Sequence, residues 1–143
     1  MKNLKVVIII LISTLFLGGC AATGKHFSEL EAVPTEQSVV YFYRPYNYQG
    51  GGLRLIVLDN EEEALKLKNA QYVRYVTAPG PHNFEPGNAG KKKGVDINLE
   101  PNESYFIRAG LRTGLWSGTW ELTRVYEDDA VEEMKACCKD GEE

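Results

Sequence analysis

From residue 38 onward the chain is cut into short runs of Val, Ile, Tyr and Phe, separated by Gly, Pro and Asn at intervals of roughly ten residues. Segments this short cannot satisfy their backbone polar groups or bury an apolar stripe as helices; they must pair with one another as strands. Leu53-Arg54-Leu55-Ile56-Val57-Leu58, Tyr72-Val73-Arg74-Tyr75-Val76 and Val95-Asp96-Ile97-Asn98-Leu99 set apolar side chains at alternating positions, so one face of each can enter a core. The pattern predicts strands over 39–44, 53–58, 64–67, 72–77, 82–85, 95–99, 104–111 and 116–126. The fold class is therefore all-β, a single antiparallel β-sandwich. Asp59-Asn60 tolerates left-handed backbone, Pro79-Gly80 suits a type II turn, and Glu100-Pro101-Asn102-Glu103 suits type I.

Near the C-terminus the period changes. Ala130, Val131, Met134, Cys137 and Cys138 recur at helical spacing behind Asp129, and Glu132 stands three residues after it as a capping-box partner, which predicts a short amphipathic helix packed on an edge or open end of the sandwich. With 143 residues, 25% charged and 43% hydrophobic, the chain suffices for one globular domain. A net charge of −4 argues against nucleic acid as a partner, because phosphate neutralisation needs an excess of Lys and Arg.

Lys2 and Lys5 precede an uncharged run over 6–17, which ends in Gly18-Gly19-Cys20. At about 1.5 Å rise per residue these 12 residues cover about 18 Å as a helix, too little for a hydrocarbon core of about 30 Å, so the layout is that of a cleaved signal peptide. Leu17-Gly18-Gly19-Cys20 resembles the lipobox of bacterial lipoproteins. The resemblance implies that Cys20 is lipidated with acyl chains such as palmitate and that residues 1–19 are removed. Several chains at about 0.8 kcal/mol per buried methylene hold a protein on its membrane. Ala21, rather than Asp, after the modified cysteine implies the periplasmic face of the outer membrane. Loss of Lys2 and Lys5 takes the net charge to −6. Residues 20–37 carry little periodic pattern and read as a lipidated tether that holds the domain, residues 38–143, away from the bilayer, with Phe27 and Leu30 as docking candidates.

Tyr41-Phe42-Tyr43-Arg44-Pro45, Leu55-Ile56-Val57-Leu58-Asp59, Ala78-Pro79-Gly80-Pro81-His82 and Ser104-Tyr105-Phe106-Ile107-Arg108 together resemble the DUF2846 family of small exported lipoprotein domains, over roughly residues 39–125. Pro-Gly-x-His is also similar to PEGA-type β-sandwich repeats. The resemblance implies a sandwich fold and no assigned activity. Where it implies a Gly-containing hairpin, the chain has Glu61-Glu62-Glu63, which unsettles the third strand.

Catalytic chemistry finds few residues. His26 falls in the tether, and His82 follows a tight turn, where an imidazole capping backbone carbonyls is the expected role; an envelope hydrolase using His82 as general base is the alternative function. Gly114-Leu115-Trp116-Ser117-Gly118 places its serine one position late for a nucleophile elbow. No metal or cofactor is expected: Cys137-Cys138 has no neighbouring histidine, the acidic runs lack calcium-loop spacing, and Gly50-Gly51-Gly52 lacks a following Lys-Ser/Thr. The adjacent cysteines would close an eight-membered ring with strain, so one buried and one exposed thiol, or a bond to another chain, are the expected states.

What remains is recognition. Tyr46 and Tyr48, followed by three glycines, form a projecting loop over 46–52, and low-entropy aromatics make good contact residues for a protein or glycan. Trp116, four residues from Trp120, is a third candidate on the other side of the sandwich, whereas Trp120 is expected in the core. Lys91-Lys92-Lys93 sits in a long hairpin loop. The functional expectation is a non-enzymatic, membrane-anchored envelope lipoprotein with a protein- or glycan-binding sandwich.

Overall fold

In the computed structural model of the chain, residues 24–87, 92–114 and 118–141 are described. They form β1 (Ser38–Arg44), β2 (Leu55–Asp59), β3 (Glu62–Leu67), β4 (Gln71–Thr77), β5 (Gly80–Pro86), β6 (Lys92–Lys93), β7 (Val95–Leu99), β8 (Ser104–Thr113), β9 (Gly118–Val125), α1 (Glu127–Cys137) and β10 (Lys139–Asp140). A six-stranded sheet in the order β10-β4-β1-β8-β9-β6 faces a four-stranded sheet in the order β3-β2-β5-β7. The all-β sandwich with a short C-terminal helix is thus the fold. It departs from a purely antiparallel plan at three pairs: β1 with β8, β6 with β9, and β10 with β4 run parallel. The first of these follows from order, since the whole second sheet intervenes in sequence between β1 and β8.

β1 explains the layering. Every residue from Ser38 to Arg44 is buried, and Val-Val-Tyr-Phe-Tyr is apolar throughout rather than alternating, as a strand covered on both faces requires. Val40 and Phe42 enter the inter-sheet core with Leu55, Val57, Phe84 and Trp120. Val39, Tyr41 and Tyr43 face the other way and meet Phe27, Phe106, Ala130 and Met134. Tyr41 stacks on Phe106 with ring centroids 5.5 Å apart, and Phe27 meets Tyr72 edge-on at 5.1 Å. The helix therefore covers an outer sheet face and not an edge or open end.

Several local expectations change. α1 begins at Glu127, with Tyr126 as N-cap and no side-chain cap bond, so the Asp129–Glu132 capping box does not form. Glu127, Asp128 and Asp129 occupy the first turn instead, where carboxylates complement the positive end of the helix dipole. The third strand exists. Asn60 and Glu61 both take positive φ, 48° and 72°, which closes a two-residue hairpin that pairs Asp59 with Glu62 and needs no glycine. Asn102 takes φ 64°, the third-residue conformation of a type II turn rather than type I. Lys92 and Lys93 form a short strand beside Trp120 and Glu121, outside the expected loop.

The segment before β1 belongs to the domain rather than to a free tether. The Phe27 amide donates to the Cys138 carbonyl at 2.9 Å and the Asp140 amide to the Lys25 carbonyl at 2.8 Å. Arg74 Nη2 donates to the Ala32 carbonyl at 2.7 Å, and the Glu31 amide to the Tyr41 hydroxyl at 3.0 Å. Phe27 is buried, and Leu30 and Val33 pack beside it.

Candidate functional site

β1 ends at Arg44, β4 begins opposite it at Gln71, Lys139 pairs with Gln71, and β8 runs on past Arg108, the partner of Tyr43. These termini define one end of the sandwich, the loop end, from which residues 45–54 emerge. Arg44 organises it. The residue is only 2% exposed and interrupts an otherwise apolar strand. Its Nη1 donates to the Leu53 carbonyl at 2.6 Å and its Nη2 to the Gly50 carbonyl at 2.8 Å, while the guanidinium lies 4.8 Å from the Trp120 ring centroid. Burial pushes the Arg44 pKa below its ordinary value.

A second tie comes from Asn69 in the β3–β4 turn. The Asn47 amide donates to Asn69 Oδ1 at 2.9 Å, and Asn69 Nδ2 donates to the Asn47 carbonyl at 3.0 Å. Gly50, at φ 74°, lies so close to Leu111 that a Cβ there would collide with its Cδ2. Pinned from three sides, the loop presents Tyr46 at 67% exposure and Tyr48 at 89%.

Beside Tyr46 lies a groove of 340 Å³, bordered by Asn47, Arg108, Gly110, Arg112, Glu121 and Thr123. Its floor is the outer face of β8 and β9. Ala109, Leu111, Trp120 and Leu122 turn inward to the core, so their alternate neighbours turn outward. Gly110, opposite Glu121, leaves the space above it empty. Arg112 Nη2 approaches Glu121 Oε2 at 3.5 Å, and Lys93 Nζ bonds Glu121 Oε1 at 2.5 Å. The Lys93 bond, with the charges of Lys93 and Arg112, holds the Glu121 carboxyl below its ordinary pKa. At the helix side Arg108 Nε meets Glu133 Oε2 at 2.9 Å. Tyr43 is buried beside Glu133, and burial first and that carboxylate second push its phenol well above the ordinary value.

His82 sits at the opposite end. Its Nδ1 lies 2.8 Å from Asp59 Oδ1, its Nε2 lies 3.0 Å from the Ala78 carbonyl oxygen, and its ring stacks on Phe84 at 5.5 Å. The Tyr75 hydroxyl donates to Asp59 Oδ2 at 3.1 Å. The Asp59 carboxylate and the Ala78 carbonyl oxygen both face the ring as acceptors, so each ring nitrogen is occupied by the protein and neither is open to a substrate. Carbonyl capping was expected from sequence; Asp59 and Tyr75 were not. Among the described residues no group of three or more His, Cys, Asp or Glu is placed to hold a metal ion.

Cys137 and Cys138 are bonded to each other, which corrects the expected free or intermolecular thiols. The reason is local. α1 stops at Cys137 and Cys138 turns extended, at φ −113° and ψ 141°, with its sulfur 3.6 Å from the Arg44 carbonyl oxygen. Cys20 and Trp116 lie outside the described residues. Thr113 and Gly118 pair at the same end as Tyr46. Trp120 is in the core as expected.

Sequence reading missed Arg44, Arg108 and Arg112. An arginine inside an apolar strand and two arginines at even spacing about Gly110 were the available signals. Among the described residues no helix is long and apolar enough to cross a membrane. The chain matches no family model, no curated protein and no solved structure.

Proposed function

We propose that the chain is a lipid-anchored, non-enzymatic lipoprotein of the cell envelope, held by Cys20 at the periplasmic face of the outer membrane, whose sandwich binds a protein or glycan partner. The observation that carries the binding role is the groove between Tyr46 and the outward face of β8 and β9. It offers an exposed aromatic ring, two guanidinium groups, a carboxylate and a hydroxyl within one concavity. That mixture suits a polar polymer, with stacking on the ring and directed hydrogen bonds below it. Arg44 and Asn69 hold the rim in place before binding, so little ordering remains to oppose association.

The anchor is supported by the Leu17-Gly18-Gly19-Cys20 box and its leader, and the envelope setting by the resemblance to DUF2846 domains. A hydrolase reading with His82 as base has less support, because both ring nitrogens are already engaged. Photo-cross-linking in cells from p-benzoylphenylalanine at Tyr46 tests the binding role. A discrete adduct that disappears when Arg112→Glu is added supports it. No adduct at Tyr46, or one unchanged by Arg112→Glu, contradicts it.

A further inference from the structure

Traced back from β1, the chain meets the loop end at Phe27 and from there steps away from it along β10, reaching the level of Asp140 at Lys25. Lys25 to Phe27 pair against Cys138 to Asp140, and Gly24 lies so near the Asp140 carbonyl that a Cβ there would collide with it. Asp140 pairs with Tyr72, and Tyr72 with Tyr43, one residue short of the end of β1. Gly24 is thus within about 7 Å of the loop end, at about 3.3 Å per strand residue. Only three residues separate it from Cys20, so four Cα-to-Cα steps span at most about 14 Å.

The surface at that end differs from the rest of the domain. Among the described residues Tyr46, Tyr48 and Leu53 are three of the four exposed large hydrophobics, and Leu53 is 53% exposed. Lys25, Arg54, Lys68, Arg112 and Lys139 gather there, beside the Arg108–Glu133 ion pair, against two further carboxylates, Glu121 and Asp140. The far end is acidic, with Glu36, Glu100, Glu103 and the Glu127-Asp128-Asp129 turn. A net charge of −6 after leader removal is therefore strongly polarised.

We infer that the loop end docks on the headgroup layer of the anchoring bilayer, with Tyr48 and Leu53 seated among the headgroups and Arg54 and Lys68 against anionic phosphates. The inference rests on the lipid anchor at Cys20. With so short a link, an acylated Cys20 at the hydrocarbon boundary holds Gly24 against the headgroups, which are themselves several Å deep. Tyrosines favour that depth because ring and hydroxyl find apolar and wet surroundings together, and basic side chains are drawn to anionic lipid. The acidic end then points away from the membrane. Tyr48 does not border the groove, so the two surfaces divide the loop: Tyr46 toward the partner, Tyr48 and Leu53 toward lipid.

The test uses the full mature chain, acylated in cells and reconstituted into vesicles of phosphatidylethanolamine and phosphatidylglycerol. A nitroxide is placed at residue 48 in one sample and at residue 103 in another. The expected result is a label at 48 that gains collisions with oxygen and loses them with an aqueous nickel chelate, while the label at 103 stays aqueous. Adding Leu53→Ser, Arg54→Glu and Lys68→Glu returns position 48 to aqueous values with the acyl chains still present. An acylated chain whose label at 48 is as aqueous as that at 103 overturns the docking alone. A chain carrying no acyl group by mass overturns the anchor, and the docking with it.

Discussion

Arg44 reaches nine residues along the chain to the carbonyl oxygen of Leu53, 2.6 Å away, and so closes the loop that carries both exposed tyrosines. A buried cation forms the underside of that loop. Its second bond, to Gly50, leaves the guanidinium plane over Trp120, which ties the loop to the inter-sheet core.

Arg44→Met is expected to lower unfolding free energy by on the order of 2–4 kcal/mol, because the part-buried carbonyls of Gly50 and Leu53 lose their donor. Chemical denaturation measures the loss, and amide hydrogen exchange at Gly50 and Leu53 should accelerate with it. An unchanged midpoint would show that the loop closes without Arg44.

How much of this was legible in the sequence depends on the range of each interaction. The strands, the turn at Asn60 and the helix follow local pattern, and the predicted segments fall on observed ones. Arg44, by contrast, looked like part of an aromatic-Arg-Pro motif; its role rests on carbonyls that only the return of the loop brings within reach. The groove needed the β8–β9 register, which places Gly110 opposite Glu121. Asp59 and His82, 23 residues apart, meet only because β2 and β5 are neighbours in the second sheet. Of the docked segment 24–37 only Phe27 and Leu30 were legible: the rest of its hold is hydrogen bonding to Cys138, Asp140, Arg74 and Tyr41, which leaves no periodic signal.

Phe27→Ala should cost about 3–5 kcal/mol, as for other buried aromatics, because Phe27 fills the space among Tyr41, Tyr72 and Met134 rather than belonging to a loose tether. Limited proteolysis should then cut at Lys25 faster than in the wild type. Equal stability and equal cleavage would restore the view of residues 20–37 as a free spacer.

Stability should fall at alkaline pH. The Tyr43 phenol has its folded pKa raised above the ordinary value of 10.0 by burial and by Glu133, against the opposing charge of Arg108. Tyr75 is raised in the same direction by burial and Asp59. The folded state then holds protons that the unfolded state releases, so the contribution is complete below pH 10 and declines above it, by at most about 1.4 kcal/mol per pH unit for each tyrosine. Unfolding measured from pH 8 to pH 11 should show that decline in the wild type and a shallower one in Tyr43→Phe. Identical slopes would contradict the assignment.

His82→Phe should lower stability by about 1–3 kcal/mol through loss of the bonds to Asp59 and the Ala78 carbonyl, leaving Asp59 with Tyr75 alone. Partner cross-linking from position 46 should be unaffected in protein that remains folded, since His82 lies at the opposite end of the sandwich. Loss of cross-linking in folded His82→Phe would link the two ends and reopen a functional role for the histidine.

The central claim is a domain fastened to its membrane through Cys20. Intact mass spectrometry of the mature protein extracted from membranes reads it directly. The account predicts a chain that begins at Cys20 and carries covalent acyl groups, and a Cys20→Ser variant that carries none and leaves the membrane fraction. A wild-type chain that retains residues 1–19, or begins elsewhere without acyl groups, would contradict it.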